Sequence, residues 1–129
     1  MPEITYIVEQ TAKTPFINLN GQTGVFELTG RSLPENPVQF YLPMFIWLEN
    51  YFLHPVPQTI LNIQLDYFNT NSAKCIVELF KKLEEHSKTG KSNAIINWRY
   101  FDHDEDMMET GEDFKSIVDI QFNIVSFVK

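Results

Sequence analysis

The chain has 129 residues, a formal net charge of −7 and a single cysteine. That length fits one domain, residues 1–129, which can bury roughly two-thirds of its unfolded surface without staples. The negative field argues against nucleic acid and anionic membranes as partners, and Cys75 alone allows neither an intramolecular disulfide nor a cysteine metal cluster.

Hydrophobic residues make up 43% and charged residues 21%, an ordinary globular balance. Met1-Pro2-Glu3-Ile4 lacks the basic and apolar blocks of a leader peptide. The most apolar stretch, Val38 to Leu53, is interrupted by Gln39, Pro43, Glu49 and Asn50 and is too short to span a bilayer. A cytoplasmic protein is expected.

Ile4 to Val8 reads as a first strand, and Thr23 to Thr29, between Gly24 and Gly30, as a second. Arg31 to Pro37 reads as a loop. A helix is expected from about Leu42 to Leu53, with Pro43 in its first turn, where a missing N–H is harmless. Met44-Phe45-Ile46-Trp47-Leu48 makes this helix apolar around most of its surface, so it is either deeply buried or covered by another protein.

Thr59 to Phe68 alternates: Leu61, Ile63, Leu65 and Tyr67 share one face, and Asn62, Gln64 and Asp66 the other. Thr70 to Ser87 carries an apolar stripe at helical spacing, Ala73, Ile76, Leu79, Phe80 and Leu83, and Gly90 stops it. Ala94 to Phe101 is a further strand. Asp102 to Thr110 is acidic and partly helical, and Asp119 to Val128 is the last strand. Strands with one polar face need covering on the other face only. The expected fold is therefore α/β, a mixed sheet of about five strands with helices mainly on one face.

Most constellations that imitate chemistry fail on spacing. Gly90-Lys91-Ser92 resembles the end of a phosphate loop, but Glu85 stands where the first glycine is needed. Asp102, Asp104 and Asp106 resemble a calcium loop, but Met107 occupies the turn glycine and Asp113 the bidentate glutamate. No metal site is expected. His54, His86 and His103 share no ligand spacing, and Cys75 reads as a structural thiol. No enzyme activity and no cofactor are expected. The carboxylates from Asp102 to Asp113, among them Asp104, Glu105 and Asp106, offer either a solvated loop or a docking patch for basic side chains. Trp47 is a core or interface residue.

The informative segment is Asp66-Tyr67-Phe68-Asn69-Thr70-Asn71-Ser72-Ala73-Lys74, where a strand ends and a helix begins. Asn69 or Thr70 can cap the helix. A phosphorylated hydroxyl is also favoured there, because free N–H groups and the positive end of the helix suit an added anion.

The run Leu65 to Lys74 resembles the signature of the SiaC-type bacterial biofilm regulators. Two further features agree, Trp98-Arg99-Tyr100 followed by Asp104-Glu105-Asp106-Met107, and Gly111-Glu112-Asp113-Phe114. The resemblance implies a STAS-like fold, that of anti-sigma-factor antagonists, and a partner switch. A serine/threonine kinase would phosphorylate Thr70 and a metal-dependent phosphatase would reverse it. The unmodified form would bind and activate a diguanylate cyclase and raise cyclic di-GMP.

In this reading Thr70 carries the phosphate, with Ser72 as the fallback site, and Asn69, Asn71 and Ser72 shape the surface that partners read. Asp104, Glu105, Asp106 and Trp47 are secondary contacts. Two rivals remain open: an anti-sigma-factor-antagonist switch with another output, and a small enzyme or ligand-binding domain using the acidic segment with His103.

Overall fold

The computed structural model describes residues 4–128. Met1, Pro2 and Glu3, on which the expectation of no leader rests, lie outside the described residues. The element order is β1 (Thr5–Val8), β2 (Phe16–Asn20), β3 (Val25–Ser32), α1 (Pro37–Tyr51), β4 (Gln58–Phe68), α2 (Thr70–Lys88), β5 (Asn93–Phe101), α3 (Glu105–Ser116) and β6 (Gln121–Phe127). The strands form one mixed sheet of six, in the order β1-β2-β3-β4-β5-β6. The first three are antiparallel neighbours, and β3 to β6 run parallel.

The expectation of about five strands is corrected to six by β2. Ile17 and Leu19 point into the core and Asn18 away from it, so this segment does alternate, but over five residues only. Gly24, at φ +77°, closes the turn that joins it to β3.

Strand order that follows the sequence decides where the helices go. Each parallel pair needs a crossover, and crossovers of one hand along one direction all fall on the same face. That face carries Ile17, Leu19, Phe26, Leu28, Leu61, Ile63, Leu65, Ala94, Ile96, Trp98 and Phe122, all buried. α1 covers it with Tyr41, Met44, Trp47, Leu48 and Tyr51, and α2 with Ile76, Leu79, Phe80 and Leu83. α3 adds Phe114, whose ring packs against Trp98 and Phe80.

The opposite face is open and polar. Asn18, Glu27, Asn62, Asn97 and Asn123 lie in one row across five strands. Asn97 Nδ2 donates to Asn62 Oδ1, and Asn123 Nδ2 to Asn97 Oδ1, each at 2.9 Å. These amides satisfy one another along the sheet and keep the bare face compatible with water.

α1 begins five residues earlier than expected. Asn36 caps it by accepting from the Gln39 N–H at 3.1 Å, and Pro37 takes the first-turn position assigned above to Pro43. Pro43 lies inside the helix. α3 runs past Gly111 to Ser116, and the glycine itself has a packing cause: it lies so close to the Trp98 indole that a Cβ there would collide with it.

Candidate functional site

The start of α2 is built by three small polar residues with different environments. β4 ends at Phe68, and Asn69 turns the chain in an extended conformation, φ −87° and ψ 172°. Its Oδ1 accepts from the Ser72 N–H at 2.8 Å, and its own N–H donates to the Ser32 carbonyl at 3.1 Å. Asn69 is therefore the cap, and Thr70 is released from that task. Thr70 is the first helical residue and is exposed. The N–H groups of Thr70 and Asn71 have no acceptor within the helix, a property of any helix start, and add to its positive end. Asn71 and Lys74, also exposed, follow on the same turn and one turn on.

Ser72 corrects the expectation of a surface or fallback phosphorylation residue. It is fully buried. Ser32 Oγ donates to Ser72 Oγ at 3.0 Å, and Ser32 and Tyr41 share a hydrogen bond of 2.5 Å. Since a hydroxyl has one proton, Tyr41 donates into Ser32. This chain ties α1, the end of β3 and the first turn of α2 together beneath Thr70. Burial is the main cause that pushes the Tyr41 phenol up to about 12, so it stays a donor. Ser32, the partner of the Ser72 hydroxyl, lies 40 residues away in sequence, and no local signal marks it.

Beside this turn, a groove of about 360 Å³ separates the starts of α1 and α2, lined by Glu35, Asn36, Pro37, Val38, Asn71, Lys74, Cys75 and Glu78. A smaller notch of about 130 Å³, formed by Val38, Leu42, Phe45, Cys75 and Glu78, continues it along α1. Cys75 is 5% exposed, and burial, followed by the charge of Glu78, pushes its thiol upward, which suits a structural role.

The acidic segment reaches the same end of the sheet. α2 and α3 both begin where adjacent parallel strands, β4 and β5, end. Asp104 caps α3, its Oδ1 accepting from the Met107 N–H at 3.1 Å. Glu105 and Asp106 occupy the first turn, exposed, where negative charge favours the helix. The acids of this segment thus have a local structural cause.

Trp47 does not join this end, and the expectation of a partner contact is corrected. It is 7% exposed, packs edge-on against Phe26 at 5.7 Å and stacks on Tyr51 at 5.4 Å. Its small exposed rim faces a separate depression with Ile4, Gly21, Gln22, Asn50, Tyr51 and His54 near the other end of α1. The exposed apolar residues of α1 are instead Val38, Leu42 and Ile46, four apart, a spacing visible in the sequence but hidden by the apolar residues between them.

His103 has a side chain 81% exposed, 3.8 Å from Asp102. No water-excluding surround serves it as a base. His86, near the end of α2, is half-buried and stacked on Phe52 at 4.1 Å. Among the described residues, no three His, Cys, Asp or Glu side chains are arranged to hold a metal, and no helix is long and apolar enough to cross a membrane.

The chain belongs to the SiaC family: the model described as SiaC family regulatory phosphoprotein matches residues 8–127. An uncharacterised protein of Pseudomonas aeruginosa strain UCBPP-PA14 is 28% identical over 114 residues, covering 88% of this chain and 90% of that one. Crystalline apo-SiaC from Pseudomonas aeruginosa is similar at a TM-score of 0.86 and 26% identity, over 94% of this chain and 98% of that one. The structure of the diguanylate cyclase SiaD in complex with its activator SiaC, from the same organism, gives a TM-score of 0.88 at 26% identity, over 95% and 99% of the chains.

Proposed function

We propose that this chain is a non-enzymatic, single-domain partner-switch protein of the cytoplasm. With Thr70 unmodified it binds and activates a diguanylate cyclase. A serine/threonine kinase transfers the γ-phosphoryl group of ATP to Thr70 Oγ1, releasing ADP and the hydroxyl proton, and the complex separates. A metal-dependent phosphatase hydrolyses the ester and restores the hydroxyl.

The observation that carries this reading is the exposed Thr70 on the first turn of α2, above a rigid support that does not need its hydroxyl. A phosphate adds roughly −1.5 to −2 charges at pH 7. The positive end of α2 accommodates such a charge, typically by about 0.3–1 kcal/mol, and Lys74 can approach it. The fold is therefore undisturbed while the surface changes sign. Asn69 and Asn71 shape the turn that a partner reads, and Asp104, Glu105 and Asp106 give basic side chains a second contact along the same end. The activator role of the similar SiaC in the SiaD complex supports a cyclase as the partner.

Intact-mass and peptide mapping of protein from its host, with and without phosphatase treatment, tests the modification. Thr70→Ala should abolish labelling and keep the wild-type melting temperature. Thr70→Glu should weaken cyclase binding and lower cyclase activation. Phosphate mapped to a residue other than Thr70, or full cyclase activation by Thr70→Glu, would overturn the reading.

A further inference from the structure

We propose that a notch on the open face of the sheet, between Glu27 and Arg99, binds a small zwitterion of the α-amino acid class. The notch lies on the face that α1, α2 and α3 leave bare, so its occupancy does not depend on the partner switch.

The notch has a volume of about 110 Å³ and is lined by Glu27 and Thr29 of β3, Asn62 and Gln64 of β4, and Arg99 of β5. Every lining side chain is polar, and the two charged ones are of opposite sign. Glu27 pairs with Asn62 and Thr29 with Gln64, and Arg99 stands two residues beyond Asn97 on the same face. Adjacent rows differ in how their polar groups are used. Asn62, Asn97 and Asn123 are tied to one another. One step along, Thr29 and Gln64 make no side-chain hydrogen bond with any described residue. Glu27 and Arg99 make no ion pair with any described residue. The Arg99 guanidinium instead lies over the Phe127 ring, 5.4 Å from its centre. Phe127 belongs to β6, on the far side of β5 from Glu27. That contact draws the cation away from the carboxylate and keeps the notch from closing on its own ion pair.

Charge and size restrict what sits there. A lone anion on Arg99 would meet the carboxylate of Glu27, and a lone cation on Glu27 would meet the guanidinium. A molecule that carries both a carboxylate and an ammonium satisfies each wall: the planar guanidinium takes the carboxylate, and Glu27 takes the ammonium. The Thr29 hydroxyl and the Gln64 amide supply donors and acceptors for what remains. A volume of about 110 Å³ is well below the roughly 300–1,000 Å³ of sites for drug-sized ligands, which limits the occupant to a few heavy atoms, as in glycine or alanine. Charge pairs open to water are weak, so the expected affinity is millimolar.

The test is a titration of the isotope-labelled full chain with L-alanine, followed by two-dimensional amide NMR at constant pH and ionic strength. Acetate and methylammonium, which carry one charge each, are titrated in parallel. With L-alanine, the backbone amides of Glu27, Thr29, Asn62, Gln64 and Arg99 and the side-chain amide of Gln64 should shift together and saturate at millimolar concentration. Acetate and methylammonium should not saturate over the same range. Glu27→Gln and Arg99→Gln, both changes at exposed positions, should each weaken L-alanine binding about tenfold, the low end for a lost hydrogen bond to a charged group. Both should melt as wild type does. Lys115→Gln, an exposed change on α3, should bind as wild type does. Shifts that never saturate, or that centre on other residues, overturn the site. Acetate that binds as well as L-alanine makes Arg99 a simple anion contact and overturns the zwitterion. Unchanged binding by Glu27→Gln or by Arg99→Gln overturns the two-walled arrangement.

Discussion

Asn69, Thr70 and Ser72 have side chains of similar size and polarity, and their environments separate them completely. Asn69 spends its oxygen on the Ser72 N–H, Ser72 is buried against Ser32, and Thr70 alone stands in solvent. A kinase acting at this turn would need a hydroxyl it can reach, so burial rather than chemistry would select Thr70 over Ser72. Asn69→Ala should cost about 1 kcal/mol, the usual value of a lost cap, read as a lower urea midpoint with an unchanged slope. Ser72→Ala should retain full kinase labelling, because its oxygen is sealed from any enzyme; loss of labelling with an intact fold would contradict this. Capping by Asn69 or Thr70 could be read from residue type alone. The choice between them could not, since it depends on how the chain leaves β4 against Ser32.

α1 shows why an apolar helix need not be a buried one. Leu48 is 1% exposed and Leu42 52%, though they lie six residues apart on the same element. Leu48→Ala should cost about 2–5 kcal/mol, whereas Leu42→Ala should change stability by no more than about 0.5 kcal/mol; chemical denaturation of both variants checks the contrast. The apolar run reads as either core or interface; one side of it is core, and the other leaves Val38, Leu42 and Ile46 in solvent. Its start was misplaced because two prolines can occupy a first turn and the Asn36 cap decides for Pro37. α3 offers the opposite case, a glycine that a helical pattern tolerates poorly. Gly111→Ala should improve intrinsic helix propensity and still destabilise, by about 1–3 kcal/mol of overpacking, because the new Cβ strikes Trp98.

His86 couples the two main helices and gives the folded protein a pH dependence. It stacks on Phe52 at an interplanar angle of 13°, and its Nδ1 is buried with no hydrogen-bond partner among the described residues. Burial, then Lys91, lowers its pKa; Glu85 and Glu49 oppose this, and Lys82 adds to the lowering. The unfolded chain takes up this proton near pH 6.5, where the folded chain still resists it. The unfolded state therefore binds more protons, and stability should fall as pH drops below about 6.5. Urea midpoints at pH 7.5 and 5.5 should differ for the wild type and differ less for His86→Phe.

The alternation of β4 and β5 and the stripe of α2 specify a sheet with one wet and one covered face, because pleat and helix period are local properties of the chain. The polar turn before α2 likewise marks a helix start and its hydroxyls. Residue pattern alone, however, does not say that four parallel strands follow one another in order. That order puts every crossover on one side and brings the starts of α1, α2 and α3 to one end. The exposure of Thr70, the burial of Ser72 and the bare side of α1 follow from contacts between segments 30 or 40 residues apart. Local periodicity has no access to such contacts, since which of two similar side chains meets solvent is settled only when distant parts of the chain close over one of them.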